Sequence, residues 1–174
     1  MKKLRVFVFV SLLLLAGCNG KWFQKGTAPP AVPLSFESDL LVIINETELT
    51  AHMKNKSIGC CCFTVNTPKH LEGLSLSFEN NMCKLEHNGL AFEMNMARFP
   101  ETAFGSALVN AMIAIFNDTN IEKSKVNDDW HYKGESKSGN FLYIQNGISG
   151  APKYLSVPSL DLTVEFSNFA DLPD

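Results

Sequence analysis

Nothing restricts the fold of this chain more than an alternation of apolar and polar side chains that recurs from residue 34 almost to the end. Leu74, Leu76 and Phe78 alternate with Ser75, Ser77 and Glu79. Leu90, Phe92, Met94 and Met96 share one side of a later stretch. Leu160, Leu162, Val164 and Phe166 alternate with Asp161, Thr163, Glu165 and Ser167. Successive side chains of a strand point to opposite faces, so this period of two reads as strands with one oily and one wet side. Turn residues punctuate the runs at Asn45-Glu46, Ser57-Ile58-Gly59, Thr67-Pro68, Asn88-Gly89 and Ser138-Gly139. Asn88-Gly89 is the sharpest of these signals, because a two-residue hairpin needs positive φ at both central positions. In all, about ten strands are predicted.

One segment breaks the pattern. Phe104, Ala107, Leu108, Ala111, Met112 and Ile115 recur at spacings of three and four, the stripe of an amphipathic helix. Pro100 and Glu101 suit its first turn, where a missing N–H costs nothing and the dipole favours an acid. The helix is expected over residues 100–116. Its other face carries Ser106 and Asn110 but few charges, so it is expected to be covered on more than one side. Strands in sequence with one inserted helix give an α+β class: a curved antiparallel meander with the helix packed on one face.

The first eighteen residues carry a different message. Lys2, Lys3 and Arg5 are followed by an apolar run from Val6 to Leu15 with only Ser11 polar, and then by Leu15-Ala16-Gly17-Cys18. A basic start, a short apolar run and small residues before a cut make a bacterial secretory signal. The run is too short to span a bilayer, which takes roughly twenty residues. Leu-Ala-Gly-Cys resembles a lipobox, where a diacylglyceryl group is attached to the cysteine thiol and the chain is cut just before it. Residues 1–17 are thus expected to be removed and Cys18 to be lipidated. Residues 18–33, with Gly20, Gly26, Pro29, Pro30 and Pro33, read as a flexible tether. Residues 34–174 form the folded domain.

Charge narrows the choice of partners. Losing Lys2, Lys3 and Arg5 with the signal leaves 12 basic against 18 acidic side chains. A net-acidic protein lacks the basic face that nucleic acid requires, and electrostatic adhesion to anionic lipid is disfavoured too. The two acyl chains on Cys18 would have to hold the protein, and two chains suffice for stable anchoring. The expected location is extracytoplasmic, on the outer face of the plasma membrane, as a monomer.

Catalytic chemistry is hard to find. His52, His70, His87 and His131 are scattered, with no His-x-x-x-His and no acid at ligand spacing. No Gly-x-Ser-x-Gly elbow or phosphate loop is present. Cys60, Cys61 and Cys62 are adjacent on one predicted strand and cannot converge on one ion. Cys83 pairs with one of them if their strands are neighbours, or all four are small buried hydrophobes. No metal, no cofactor and no enzyme activity are expected. The remaining apolar residues either fill a core between sheet and helix or leave a greasy cavity there.

The order of elements is informative. Behind the lipobox and tether come Pro68-x-x-Leu71-x-Gly73-Leu74 ahead of a strand, a hairpin over residues 83–96, and the helix. Trp130-x-Tyr132-x-Gly134, Gly150-x-Pro152, Leu155-x-Val157-Pro158 and Leu162-x-Val164-x-Phe166-Ser167-x-Phe169 follow. Over roughly residues 36–169 this resembles the small extracytoplasmic lipoproteins of Gram-positive bacteria that are similar to the lipoprotein-carrier (LolA-like and LppX-like) superfamily. The resemblance implies a half-barrel whose concave face is closed by helix and holds acyl chains of a lipid, lipoprotein or glycolipid. On that basis Phe92, Met94, Phe104, Leu108, Met112 and Ile115 are the expected ligand lining. The same elements with a solid core would instead make a structural or protein-interaction module of the envelope.

Overall fold

The computed structural model describes residues 28–118 and 120–172. The signal, Cys18, Trp22 and Phe23 lie outside the described residues. Eleven strands form one antiparallel sheet in the order β6-β5-β4-β3-β2-β1-β11-β10-β9-β8-β7. They are β1 (Phe36–Ile44), β2 (Thr47–Ser57), β3 (Cys60–Thr67), β4 (Ser75–Glu79), β5 (Met82–His87), β6 (Leu90–Asn95), β7 (Glu122–Val126), β8 (Asp129–Ser136), β9 (Gly139–Asn146), β10 (Pro152–Val157) and β11 (Leu162–Asp171). The first strand pairs with the last, so two meanders are joined down the middle, with Leu40 opposite Phe166 and Val42 opposite Val164. β6 and β7 are the free edges. This open, curved sheet with one main helix is the half-barrel α+β fold expected from the alternation.

The predicted alternation maps onto the two faces. Leu40 and Val42, Ala51 and Met53, Phe63 and Val65, Leu155 and Val157, and Leu162 and Val164 are all buried, one face of five adjoining strands. The main helix, α1 (Phe104–Asn117), links β6 to β7 and so joins the two opposite edges. Ten strand spacings of ~4.8 Å would set the edges of a flat sheet about 48 Å apart. A helix of this length spans about 21 Å. The compact link therefore goes with a sheet curled around it.

α1 starts later than its sequence suggests. Pro100 begins a separate turn, closed by Ala103 N–H donating to the Pro100 carbonyl at 3.1 Å. The reason is Phe99, whose ring meets Phe78 edge-on with centroids 5.8 Å apart. That contact holds the chain flat on β4 before the helix can rise. Gly105 then lets α1 come close, since a Cβ there would stand 3.1 Å from the Phe78 ring.

All four described cysteines are free. Cys61 and Cys83 are buried on the inner face, yet both sit opposite Phe78, one from each side. Two strand spacings of ~4.8 Å separate them, beyond the ~7 Å limit on Cα separation for a disulfide. Burial pushes both thiols upward, Cys83 to about 11, which keeps them as inert packing groups.

Candidate functional site

The inner wall of the half-barrel is built first by α1. Phe104, Leu108, Met112 and Ile115 are all buried, and Phe104 stacks edge-on against Phe63 with centroids 5.7 Å apart. These four expected lining residues are brought together, but as packing between helix and sheet. Phe92 and Met94 lie on the inner-facing side of β6, opposite Leu85 and Cys83. Met94 is half-buried against the core, while Phe92 is exposed.

A hollow lies on the other side of α1. It is a trough of about 570 Å³ between the helix, the segment leading into it and the β8–β9 turn. Met96, Ala97, Phe99, Ile113 and Ala114 supply an apolar floor. Asn81, Ser106 and Asn110 add polar groups, with Glu101 and Lys137 as opposite charges at the margin. One end is fixed by a relay: Asn110 Nδ2 donates to Ser138 Oγ at 3.0 Å, and Ser138 Oγ donates to the Glu101 carbonyl at 2.9 Å. Sequence reasoning did not single out this lining. The signal for it was there, in a helix whose second face carries Ser106 and Asn110 but few charges.

A second, smaller hollow of about 310 Å³ lies where the start of the domain crosses the end of α1, between Pro30, Val32, Ile115, Phe116 and Tyr132. Residues 30–34 are tied down there. Gln145 Nε2 donates to the Pro30 carbonyl at 2.9 Å, and Asn55 Nδ2 to the Leu34 carbonyl at 2.6 Å. Both amides are buried, so the strap is held by groups committed to it.

The outer face of the sheet carries a polar cluster at the seam. His52 Nδ1 lies 2.8 Å from Asp39 Oδ1 and its Nε2 3.6 Å from Glu37, which also pairs with Lys54 at 3.4 Å. Asn168 donates to Asp39 at 2.8 Å; that bond, then His52, holds the Asp39 carboxyl below its ordinary value of 3.8. Among the described residues no three His, Cys, Asp or Glu side chains converge as metal ligands.

With this geometry in view, likenesses to known proteins are informative. Residues 1–19 match the model of the prokaryotic membrane lipoprotein lipid attachment site. The N-terminus thus carries the signature of a lipid attachment site. No curated protein matches the chain. Among solved structures it resembles an uncharacterized conserved protein from Thermus thermophilus, at 10% identity over 82% of each chain with a TM-score of 0.54. It also resembles a LolA superfamily protein from Nitrosomonas europaea, at 11% identity over 84% of this chain and 90% of that one, TM-score 0.45. A putative outer membrane lipoprotein-sorting protein domain from Vibrio parahaemolyticus follows, at 6% identity over 82% and 87%, TM-score 0.42. At such identities the likeness is one of fold. No helix among the described residues is long and apolar enough to cross a membrane.

Proposed function

We propose that this lipoprotein is a non-catalytic binder of an amphipathic molecule, a lipid or the acyl chain of another lipoprotein, held beside α1 while Cys18 keeps the domain at the outer face of the plasma membrane. The observation that carries the reading is the trough: about 570 Å³, with an apolar floor and polar groups at its margin. That volume falls in the usual range for small-molecule sites. Ile113 and Ala114 would take the chain, and Asn110 and Lys137 the head group. Phe104, Leu108, Met112 and Ile115 form a deeper wall, reached only if α1 lifts from the sheet.

The test is native mass spectrometry of the Cys18→Ser chain, which carries no lipid of its own. Co-purifying lipid is expected on this chain and its loss in Ala114→Trp, whose indole would fill the trough from the helix face. A clean mass for the parent chain overturns the binding reading. A second reading, a protein-interaction module, is favoured by one observation: Leu90 and Phe92 stand exposed on the free edge strand β6. Unpaired strand edges are ready templates for another chain.

A further inference from the structure

Four exposed apolar side chains gather where the chain leaves the fold toward its lipid. Leu34, 50% exposed, sits on the strap. Asn55, which holds the Leu34 carbonyl, lies three residues before Ile58, 47% exposed in the β2–β3 turn. Ile148 is 88% exposed in the β9–β10 loop. That loop touches the strap: a Cβ on Gly150 would stand 2.5 Å from the Ala31 carbonyl oxygen. Val126, 44% exposed, ends β7, and the turn that follows meets the same loop where Asp128 abuts Gly147.

The Ile148 loop is held out by its own bonds. Asn146 Oδ1 accepts from the N–H of Ile148 and of Ser149, each at 2.9 Å, and Ser149 Oγ accepts from Ala151 N–H at 3.2 Å. Ile148 alone would need no explanation, but it stands on a braced loop at the same end of the fold as three other exposed aliphatic side chains.

The length of chain outside the described fold says what lies opposite. Nine residues separate Cys18 from Ala28. Even fully extended, they reach at most about 35 Å. The strap fixes the point on the domain from which that reach is measured, so this is the end that the tether joins to the bilayer. We propose that the strap end of the half-barrel rests on the membrane that holds Cys18, with Leu34, Ile58, Val126 and Ile148 entering the lipid interface. Ile113, on the trough floor, lies against Gly59 of the β2–β3 turn. Docking in this pose therefore sets the trough close to the lipid surface. The proposal rests on the anchor at Cys18 and not on the trough holding a ligand.

The occupant is lipid rather than a protein because the anchor supplies it at high effective concentration, without a second partner. Apolar tips drive the contact. Charge does not, since the mature chain is net acidic.

The mature, lipidated chain is placed in phosphatidylglycerol vesicles whose acyl chains carry bromine, a contact quencher of indole fluorescence. Ile148→Trp is compared with the parent chain and with Leu90→Trp. The register places Leu90 at the other end of its strand from the β4–β5 and β2–β3 turns. Most of the emission added by Ile148→Trp is expected to be quenched, and that added by Leu90→Trp spared. Equal sparing of both overturns the proposal and leaves the four side chains to a protein. Quenching of Leu90→Trp alone overturns it by showing the opposite pose. Flotation of the parent chain with the vesicles separates the two failures: a chain that does not float lacks the anchor itself.

Discussion

Tyr132 and Tyr143 face each other across β8 and β9, their rings edge-on at 5.6 Å and both almost wholly buried. Burial pushes the Tyr132 phenol up to about 12, with the Asp118 carboxylate adding in the same direction. Burial pushes Tyr143 higher still, and Tyr132 adds to it. The linkage has a definite sign. Both phenols are neutral in either state at neutral pH, so nothing is lost there. Above the ordinary value of 10.0 the unfolded chain releases these protons and the folded one does not, so stability drops as pH rises through that range. Alkaline titration followed by circular dichroism should show unfolding set in above pH 10.0, and Tyr132→Phe should move the onset upward.

At the level of elements, α1 decides how far the inner wall is a core. Leu108 has no exposed surface and sits mid-helix against the sheet. If the helix is packed as observed, Leu108→Ala removes buried methyl groups and leaves a cavity, at a cost of about 2–5 kcal/mol. Thermal or urea unfolding measures this directly. A loss below about 1 kcal/mol would mean that α1 rests only loosely on the sheet, because exposed positions tolerate truncation. The edges differ in a related way. β7 carries Glu122, Lys123 and Lys125, the charges that natural edges use against pairing. β6 has only Glu93 and presents Leu90 and Phe92 instead.

On the scale of the whole molecule, attachment site, strap and half-barrel follow one another along the chain. Cys18→Ser should move the protein from the membrane pellet to the soluble fraction, read by fractionation and immunoblot, with the thermal midpoint of the domain unchanged. An unchanged pellet fraction would show that something other than Cys18 holds it. Much of this organisation was legible beforehand. The lipobox is a contiguous signal read by enzymes as linear sequence, so residues 1–19 declare it unaided. Strand alternation and the Asn88-Gly89 hairpin are local physics as well, and the sheet follows them. Helix periodicity located α1, yet could not tell whether Phe104, Leu108, Met112 and Ile115 face a hollow or a filled core. That depends on how closely Gly105 lets the helix approach Phe78, a contact between residues far apart in the chain. Nor could it reveal the trough, whose floor comes from both α1 and the segment before it. By itself, then, the amino-acid order determined the lipid attachment site, the strand pattern and the main helix, since each is written in neighbouring residues. Tertiary structure alone decided which face of α1 is open, how the strap is tied, and which exposed side chains share one end, because these are distances across a curled sheet.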